Sequence, residues 1–116
     1  MNTITINIKR DFSPKPGPRY IKESSTDNSG ESFRQKKLLP AFKKAISENS
    51  KVRVELDGTS GYGTSFLEES FGGLIRVDKI SYDQIVSRLE IISVEESFLI
   101  DDIQQYLLDA SKKIDK

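Results

Sequence analysis

The segment 51–76, KVRVELDGTSGYGTSFLEESFGGLIR, constrains what this chain can fold into more than any other part of it. Val52, Val54 and Leu56 alternate with charged residues, and this period of two predicts a strand with one buried face. The glycines that follow can adopt the positive φ angles of a tight loop: Gly58, Gly61 and Gly63. The sequence therefore predicts a strand, a glycine-rich loop and the start of a helix in direct succession.

This helix is predicted to begin with Ser65 as its N-cap. The motif SFLE at residues 65–68 matches a capping box, in which the serine accepts a hydrogen bond from a helix amide and Glu68 reaches back to the cap. Apolar residues recur behind it at helical spacing. Gly72 and Gly73 lie inside the helix, where each costs roughly 1 kcal/mol relative to alanine. We therefore expect the helix to approach a neighbouring sheet or a partner closely at this pair.

Composition excludes several classes of function. The chain has no cysteine and no histidine, which removes disulfides, thiolate chemistry, histidine bases and histidine metal ligands. Lys and Arg together number 18, as do Asp and Glu, so the basic excess that is usual in nucleic-acid binders is missing. We therefore expect no enzyme, no catalytic residue, no metal site, no cofactor and no nucleic-acid partner.

The chain also lacks the signals of membrane proteins. No apolar run approaches the roughly 20 residues that a transmembrane helix needs. The first residues, MNTITINIKR, have neither the charged start nor the apolar block of a signal peptide. We expect no membrane partner and a cytoplasmic location.

Strands and helices are predicted to alternate along the chain. Strands are predicted at residues 3–9, at the central segment and at 89–93, with a further short strand at 19–22. A helix at about 31–47 is expected to start at a cap, Asp27 or Ser29. It is expected to kink, or to divide into two short helices, at Pro40, which has no backbone N–H. Ser81 and Ser93 begin further capping boxes, before a short helix and before a last helix that runs to about residue 113. This order predicts a single α/β domain over residues 1–116, with about four strands and about four helices.

Three groups of residues resemble a known family. They are DFS, PG and Arg19 within residues 11–19, SGESFR and LP within 29–40, and LDG, GYGTSFLEE and FGGL within 56–74. The sequence resembles the bacterial STAS-like domain family of unknown function and, more distantly, the STAS domains of anti-sigma-factor antagonists. The resemblance covers about residues 4–76 and implies a small mixed sheet flanked by helices.

The resemblance also implies a phosphorylation site. In anti-sigma-factor antagonists, a serine at the start of the helix after the central strand is phosphorylated by an anti-sigma kinase, in a sequence similar to D-S-S-G-L. The segment TSFL at residues 64–67 aligns with S-S-G-L, which makes Ser65 the phosphoacceptor candidate and Thr64 its neighbour. Gly63 stands where that motif has aspartate, and Phe66 where it has glycine.

The implied partner is a histidine-kinase-like ATPase of the GHKL type, which would dock on the loop and helix start at residues 61–71. The predicted function is that of a non-enzymatic, regulatory protein-binding module controlled at Ser65. The alternative is a fixed structural subunit of a bacterial defence or stress complex that has no phospho-switch. The predicted partner-binding residues are Gly61, Tyr62, Gly63, Phe66, Glu68 and Glu69.

Simpler interpretations compete with this one. Ser65 can serve only as a cap, worth about 1 kcal/mol. Residues 58–65 fit a Walker A pattern with Thr64 in place of the lysine that reaches the β- and γ-phosphates, which argues against an NTPase and leaves nucleotide or anion binding open. Arg19 and Arg34 are expected to make internal ion pairs, with three candidate acids: Asp11, Glu31 and Asp57. The alternative is that they receive an acidic group of a partner.

Overall fold

The computed structural model describes residues 2–114. Its three strands form one parallel sheet with β2 in the centre. Val54 in β2 is in register with Ile6 on one side and with Ile91 on the other. Parallel neighbours require crossover connections, and helices provide them. The strands are β1 (Thr3–Asn7), β2 (Lys51–Glu55) and β3 (Leu89–Ile92).

The described residues form five helices, two of which contain a π-helical turn. The first and the last two are regular: α1 (Ile8–Asp11), α4 (Tyr82–Val86) and α5 (Phe98–Ile114). Helix α2 runs through Gly30–Phe33, the π-helical turn Arg34–Leu38, and Leu39–Glu48. Helix α3 runs through Thr64–Leu67, the π-helical turn Glu68–Gly72, and Gly73–Arg76. None of the helices in this part of the chain is long and apolar enough to cross a membrane.

The prediction of a fourth strand at 19–22 is wrong, and the observed sheet is parallel rather than mixed. Ile21–Glu23 forms a turn of 3-10 helix instead. The carbonyls of Pro18 and Arg19 accept hydrogen bonds of 2.9 Å from the first amides of α2, those of Gly30 and Glu31. Because these backbone groups are bound to a helix start, the segment does not join the sheet.

The sheet buries one face and leaves the other polar. Alternate residues of each strand pack into the core beneath the helices, and their neighbours point away. On the polar face Arg53 and Glu90 form an ion pair between β2 and β3, with 2.7 Å between Nε and Oε1. The core-facing strand residues are Ile4, Ile6, Val52, Val54, Leu89 and Ile91.

Helix α2 changes its helical form just before Pro40. The helix is continuous, but the N–H of Leu39 bonds to the carbonyl of Arg34, five residues earlier. This wider turn lies just before Pro40, which has no N–H to donate. The helix ends at Asn49, which has a left-handed φ of 54°. A π-helical turn in a continuous helix therefore stands where the sequence predicted a kink or a division into two helices.

The predicted helix caps have mixed outcomes. Ser29 caps α2, since its side chain accepts from the amide of Ser32 at 3.1 Å. Ser81 caps α4 by accepting from the amide of Gln84 at 3.2 Å. The cap predicted at Ser93 is wrong: α5 begins only at Phe98, and the Ser93 hydroxyl donates to the carbonyl of Glu96 at 2.8 Å.

Helices α2 and α3 approach each other closely at Gly30. A Cβ atom at this position would lie 2.4 Å from the backbone carbonyl oxygen of Phe66 in α3. The hydroxyl of Ser70 donates to the carbonyls of both Phe66 and Gly30, at 2.7 and 3.3 Å. This contact fixes the start of α3 against the start of α2.

Candidate functional site

The site is built at the carboxyl end of β2, where the glycine-rich loop leads into α3. Gly58 and Gly61 have φ angles of +95° and +128°, which favour glycine. The carboxylate of Asp57 accepts from the amides of Val94 and Glu95, and a carboxylate oxygen of Glu95 accepts from the amide of Gly58 at 2.8 Å. These bonds hold the loop against the turn that precedes α5.

Tyr62 anchors the far side of this loop. Its hydroxyl donates to the carbonyl of Leu56 at 2.6 Å, and its ring lies 5.9 Å from that of Phe66. Burial raises the pKa of Tyr62 to about 12. The phenol therefore stays neutral and fixes the loop rather than acting as a base.

The prediction that Ser65 caps α3 is wrong. The N-cap is Gly63, which has no side chain to offer, and the helix begins at Thr64. Glu68 does not reach back to the cap, because it binds Arg19 and Arg76. Thr64 and Ser65 are therefore exposed in the first turn of the helix, and the cap does not use the Ser65 hydroxyl.

Phe66 lies on the opposite side of the helix start. Its side chain is fully buried in an aromatic cluster with Phe12 and Phe33, whose ring centroids are 6.3 and 5.8 Å away. A partner that docks on the surface of α3 does not reach this ring. Of the predicted partner-binding residues, Gly63 is exposed and Gly61 and Tyr62 are partly exposed.

Glu68 joins the loop before α2 to helix α3. Its carboxylate binds Nη1 of Arg19 at 2.5 Å and Nη1 of Arg76 at 2.6 Å. Burial opposes ionisation of Glu68, but the hydrogen bonds from Arg76 and Arg19 outweigh it, so the pKa of Glu68 lies below its ordinary value.

Glu69 belongs to a second, deeper cluster of charges. Arg34, with only 2% of its side chain exposed, donates a hydrogen bond through Nη1 to the carboxylate of Glu69. Its Nε lies 3.0 Å from Oδ2 of Asp78, which is an ion-pair distance without hydrogen-bond geometry. Arg76 also reaches Glu69, at 3.1 Å. A Cβ atom on Gly73 would lie 2.5 Å from Nη1 of Arg34, so the glycine makes room for the guanidinium.

The two clusters correct one prediction and extend another. Arg19 and Arg34 do form internal ion pairs, but not with Asp11, Glu31 or Asp57. Their partners are Glu68 and Glu69 of α3 and Asp78 just after it. Glu31 accepts instead from the amide of Ile21, at 2.9 Å. The neighbouring sheet expected against Gly72 and Gly73 does not lie there: a Cβ atom on Gly72 would meet Glu68 of α3 itself, and one on Gly73 would meet Arg34 of α2.

Sequence reasoning missed Arg76 and Asp78 as members of these clusters. Arg34 and Asp78 are far apart in the chain, and no local pattern pairs them. The only sequence signal was the glycine pair, which indicated that something bulky lies against α3. Among the described residues, no group of acidic side chains is placed to hold a metal ion.

A shallow depression of about 300 Å³ lies beside the exposed serine. It is lined by Ser65 and by the segment before α2: Pro18, Arg19, Tyr20 and Glu23. Arg19 and the exposed Ser65 therefore share one surface feature at the start of α3.

The ion pairs of Glu68 predict a pH dependence of stability. A depressed pKa means that the stabilisation is present above the unfolded-state pKa of about 4.3 and is lost as the pH falls through the folded-state pKa. Glu68→Gln should lower the free energy of unfolding at pH 7 by about 1 kcal/mol and flatten its dependence between about pH 5 and pH 3. Urea unfolding across this pH range measures both effects.

Glu48→Gln is the matched control, because Glu48 is exposed and forms no ion pair in the described part of the chain. It should leave the profile unchanged. An identical slope for Glu68→Gln and the unmutated chain would contradict the assignment.

Comparison with known proteins adds one finding to this geometry. A family model described as a STAS-like domain of unknown function matches residues 29–98, which is more than half of the chain. The chain belongs to this family. The STAS-like match begins at Ser29, the cap of α2, and ends at Phe98, the first residue of α5. Neither the curated proteins nor the solved structures gave a match.

The matched part of this STAS-like domain leaves out the segment before α2, which carries Arg19 and the other residues that line the depression with Ser65. It includes the buried cluster around Arg34, the glycine-rich loop and the start of α3. The family description assigns no function, so the function rests on the chemistry of the site.

Proposed function

We propose that this STAS-like domain is a non-enzymatic regulatory module that binds a protein partner through the loop and helix start at residues 61–71, and that phosphorylation of Ser65 controls this binding. The partner that fits is a histidine-kinase-like ATPase of the GHKL type, the class that the resemblance to anti-sigma-factor antagonists implies. The observation that carries the proposal is the exposed Ser65 hydroxyl, in the first turn of α3 and free of the capping role.

The local structure can accept a phosphate at this position. The transfer would form a bond between Ser65 Oγ and the γ-phosphorus of ATP, release ADP, and pass the hydroxyl proton to a base of the partner. The first amides of a helix and its dipole favour an anion. The phosphate adds about −1.5 to −2 charges at the surface, and because the Ser65 side chain is exposed, the core does not need to change.

The docking surface is narrower than the sequence suggested. Phe66 and Glu69 are buried, so a partner would contact the exposed residues of the segment. Glu68 is partly exposed but already binds two arginines. The proposed contact residues are Gly61, Tyr62, Gly63, Thr64 and Ser65.

The proposal predicts how Ser65 variants bind. Ser65→Glu should weaken binding of the ATPase at least about tenfold, or about 1.4 kcal/mol, because it places a negative charge in the interface. Ser65→Ala should bind normally but escape control by ATP. The measurement is a pull-down from native lysate of the source cells with and without ATP–Mg²⁺, followed by intact-mass analysis and titration of the recovered partner.

Ser47→Glu is the control for added charge, because Ser47 is an exposed serine on α2. It should bind like the unmutated chain. A gain of one phosphoryl group mapped to Ser65 supports the switch. Equal binding by Ser65→Glu and Ser65→Ala, with no gain in mass, would instead leave a fixed subunit of a larger complex.

A further inference from the structure

We propose that the Arg19 side chain responds to phosphorylation of Ser65: its guanidinium leaves the carboxylate of Glu68 and binds the phosphate. The inference rests on the proposed function, since it concerns what a phosphate on Ser65 does to the domain itself. It assigns a role to the segment before α2, which docking on residues 61–71 does not explain.

The fold brings Arg19 and Ser65 to the same surface feature. Arg19 and Ser65 line the same depression of about 300 Å³. The Arg19 side chain is 28% exposed, so it is not locked into the core. Within the described residues its side-chain hydrogen bonds all run through Nη1, to Glu68 and, at 3.4 Å, to Glu69. The edge formed by Nε and Nη2 therefore remains for a phosphate, which arginine binds through two parallel N–H bonds.

The exchange is electrostatically favourable. Ser65 and Glu68 are three residues apart on α3, so a phosphate on the serine would lie beside the carboxylate that now binds Arg19. The phosphate carries about −1.5 to −2 charges against −1 for the carboxylate, and it would attract the guanidinium more strongly. Glu68 would not be stranded, because Arg76 binds it through two nitrogens, at 2.6 and 3.2 Å.

Two carboxylates oppose the exchange. Glu23 lines the same depression and Glu68 lies one turn along α3, so both would repel the phosphate. Glu23 is exposed to solvent, so this repulsion is screened by water and salt. The bidentate contact of a guanidinium is the stronger term at such short range.

The exchange would also change the surface next to Ser65. The Arg19 guanidinium now lies 5.9 Å from the centre of the Tyr20 ring, and Tyr20 and Ile21 are among the exposed large apolar residues. Turning the guanidinium toward a phosphate would remove one of the two cations over this ring and leave Lys22, whose Nζ lies 5.7 Å from the ring centre. A partner would then meet a new charge next to an exposed ring that has lost one cation.

The test uses phosphoserine placed at position 65 during protein synthesis, with a phosphorus NMR titration of its second ionisation. A nearby guanidinium stabilises the dianion, so Arg19→Gln should raise the phosphate pKa by about 0.5 unit or more. Arg76→Gln is the matched control: Arg76 also binds Glu68 but does not line the depression, so the phosphate pKa should hardly change. Circular dichroism checks that each variant is folded.

A second measurement follows Arg19 directly. Its Nε–H proton signal should move downfield when Ser65 is phosphorylated and return when the phosphate is protonated. Equal phosphate pKa values in the unmutated chain and in Arg19→Gln would overturn the inference. The titration needs no partner, and the pull-down with Ser65→Glu needs no Arg19 contact, so the failure of either proposal can be told from the failure of the other.

Discussion

Replacing Arg34 by methionine is expected to lower the free energy of unfolding by about 3–5 kcal/mol, the range for removing one partner of a buried ion pair. The guanidinium is almost completely buried and neutralises the carboxylates of Glu69 and Asp78. Methionine fills part of the space but leaves these two acids with fewer partners in a medium that solvates charge poorly. Urea unfolding followed by circular dichroism at pH 7 gives the value, provided that the dependence on urea concentration is unchanged.

Arg53→Met is the matched control for this change. Arg53 also forms an ion pair, with Glu90, but its side chain is 40% exposed on the polar face of the sheet. Its loss should cost less than about 1 kcal/mol. Adding Glu69→Gln to Arg34→Met should cost less than the sum of the two single changes, because one uncompensated buried charge disappears. A loss below about 1 kcal/mol for Arg34→Met would show that the cluster does not stabilise the fold.

The second large effect is expected for Phe66→Ala, which should cost about 3–5 kcal/mol. The ring is fully buried between Phe12 and Phe33 and also lies against Tyr62. Its removal therefore leaves a cavity among these three rings. Phe66→Leu, which keeps most of the volume, should cost less than about 1.5 kcal/mol. The same urea experiment compares the three proteins.

Phe98→Ala provides the control, because Phe98 is 58% exposed at the start of α5. It should change the free energy of unfolding by no more than about 0.5 kcal/mol. This pair also tests the predicted role of Phe66 in partner binding. If Phe66→Ala kept full stability and lost only the partner, Phe66 would be a contact residue and its burial in the aromatic cluster would be refuted.

Much of the fold follows from local patterns. Alternation of isoleucines predicted β1, and alternation of valines predicted β2, because a period of two needs only one buried face. The strand predicted over 3–9 ends at Asn7, however, and Ile8 begins α1. Gly58, Gly61 and Gly63 were expected to allow positive φ; the first two adopt it, whereas Gly63 has an extended backbone with a φ of −80°. The fourth strand failed because residues 19–22 were judged without the amides of α2 that bind the carbonyls of Pro18 and Arg19. A short polar segment takes the conformation that its distant partners impose.

The candidate site also combines features that local sequence sets with features that only tertiary contacts set. The sequence by itself determined that a glycine-rich loop leads from the central strand into a helix with a serine in its first turn, because these are local backbone preferences. Only the tertiary structure decided that Gly63 caps this helix and that Ser65 stays free, since Arg19 and Arg76 draw Glu68 away from the cap. Ion pairs between distant segments leave no periodic trace in a sequence, so their partners become known only when the chain is folded.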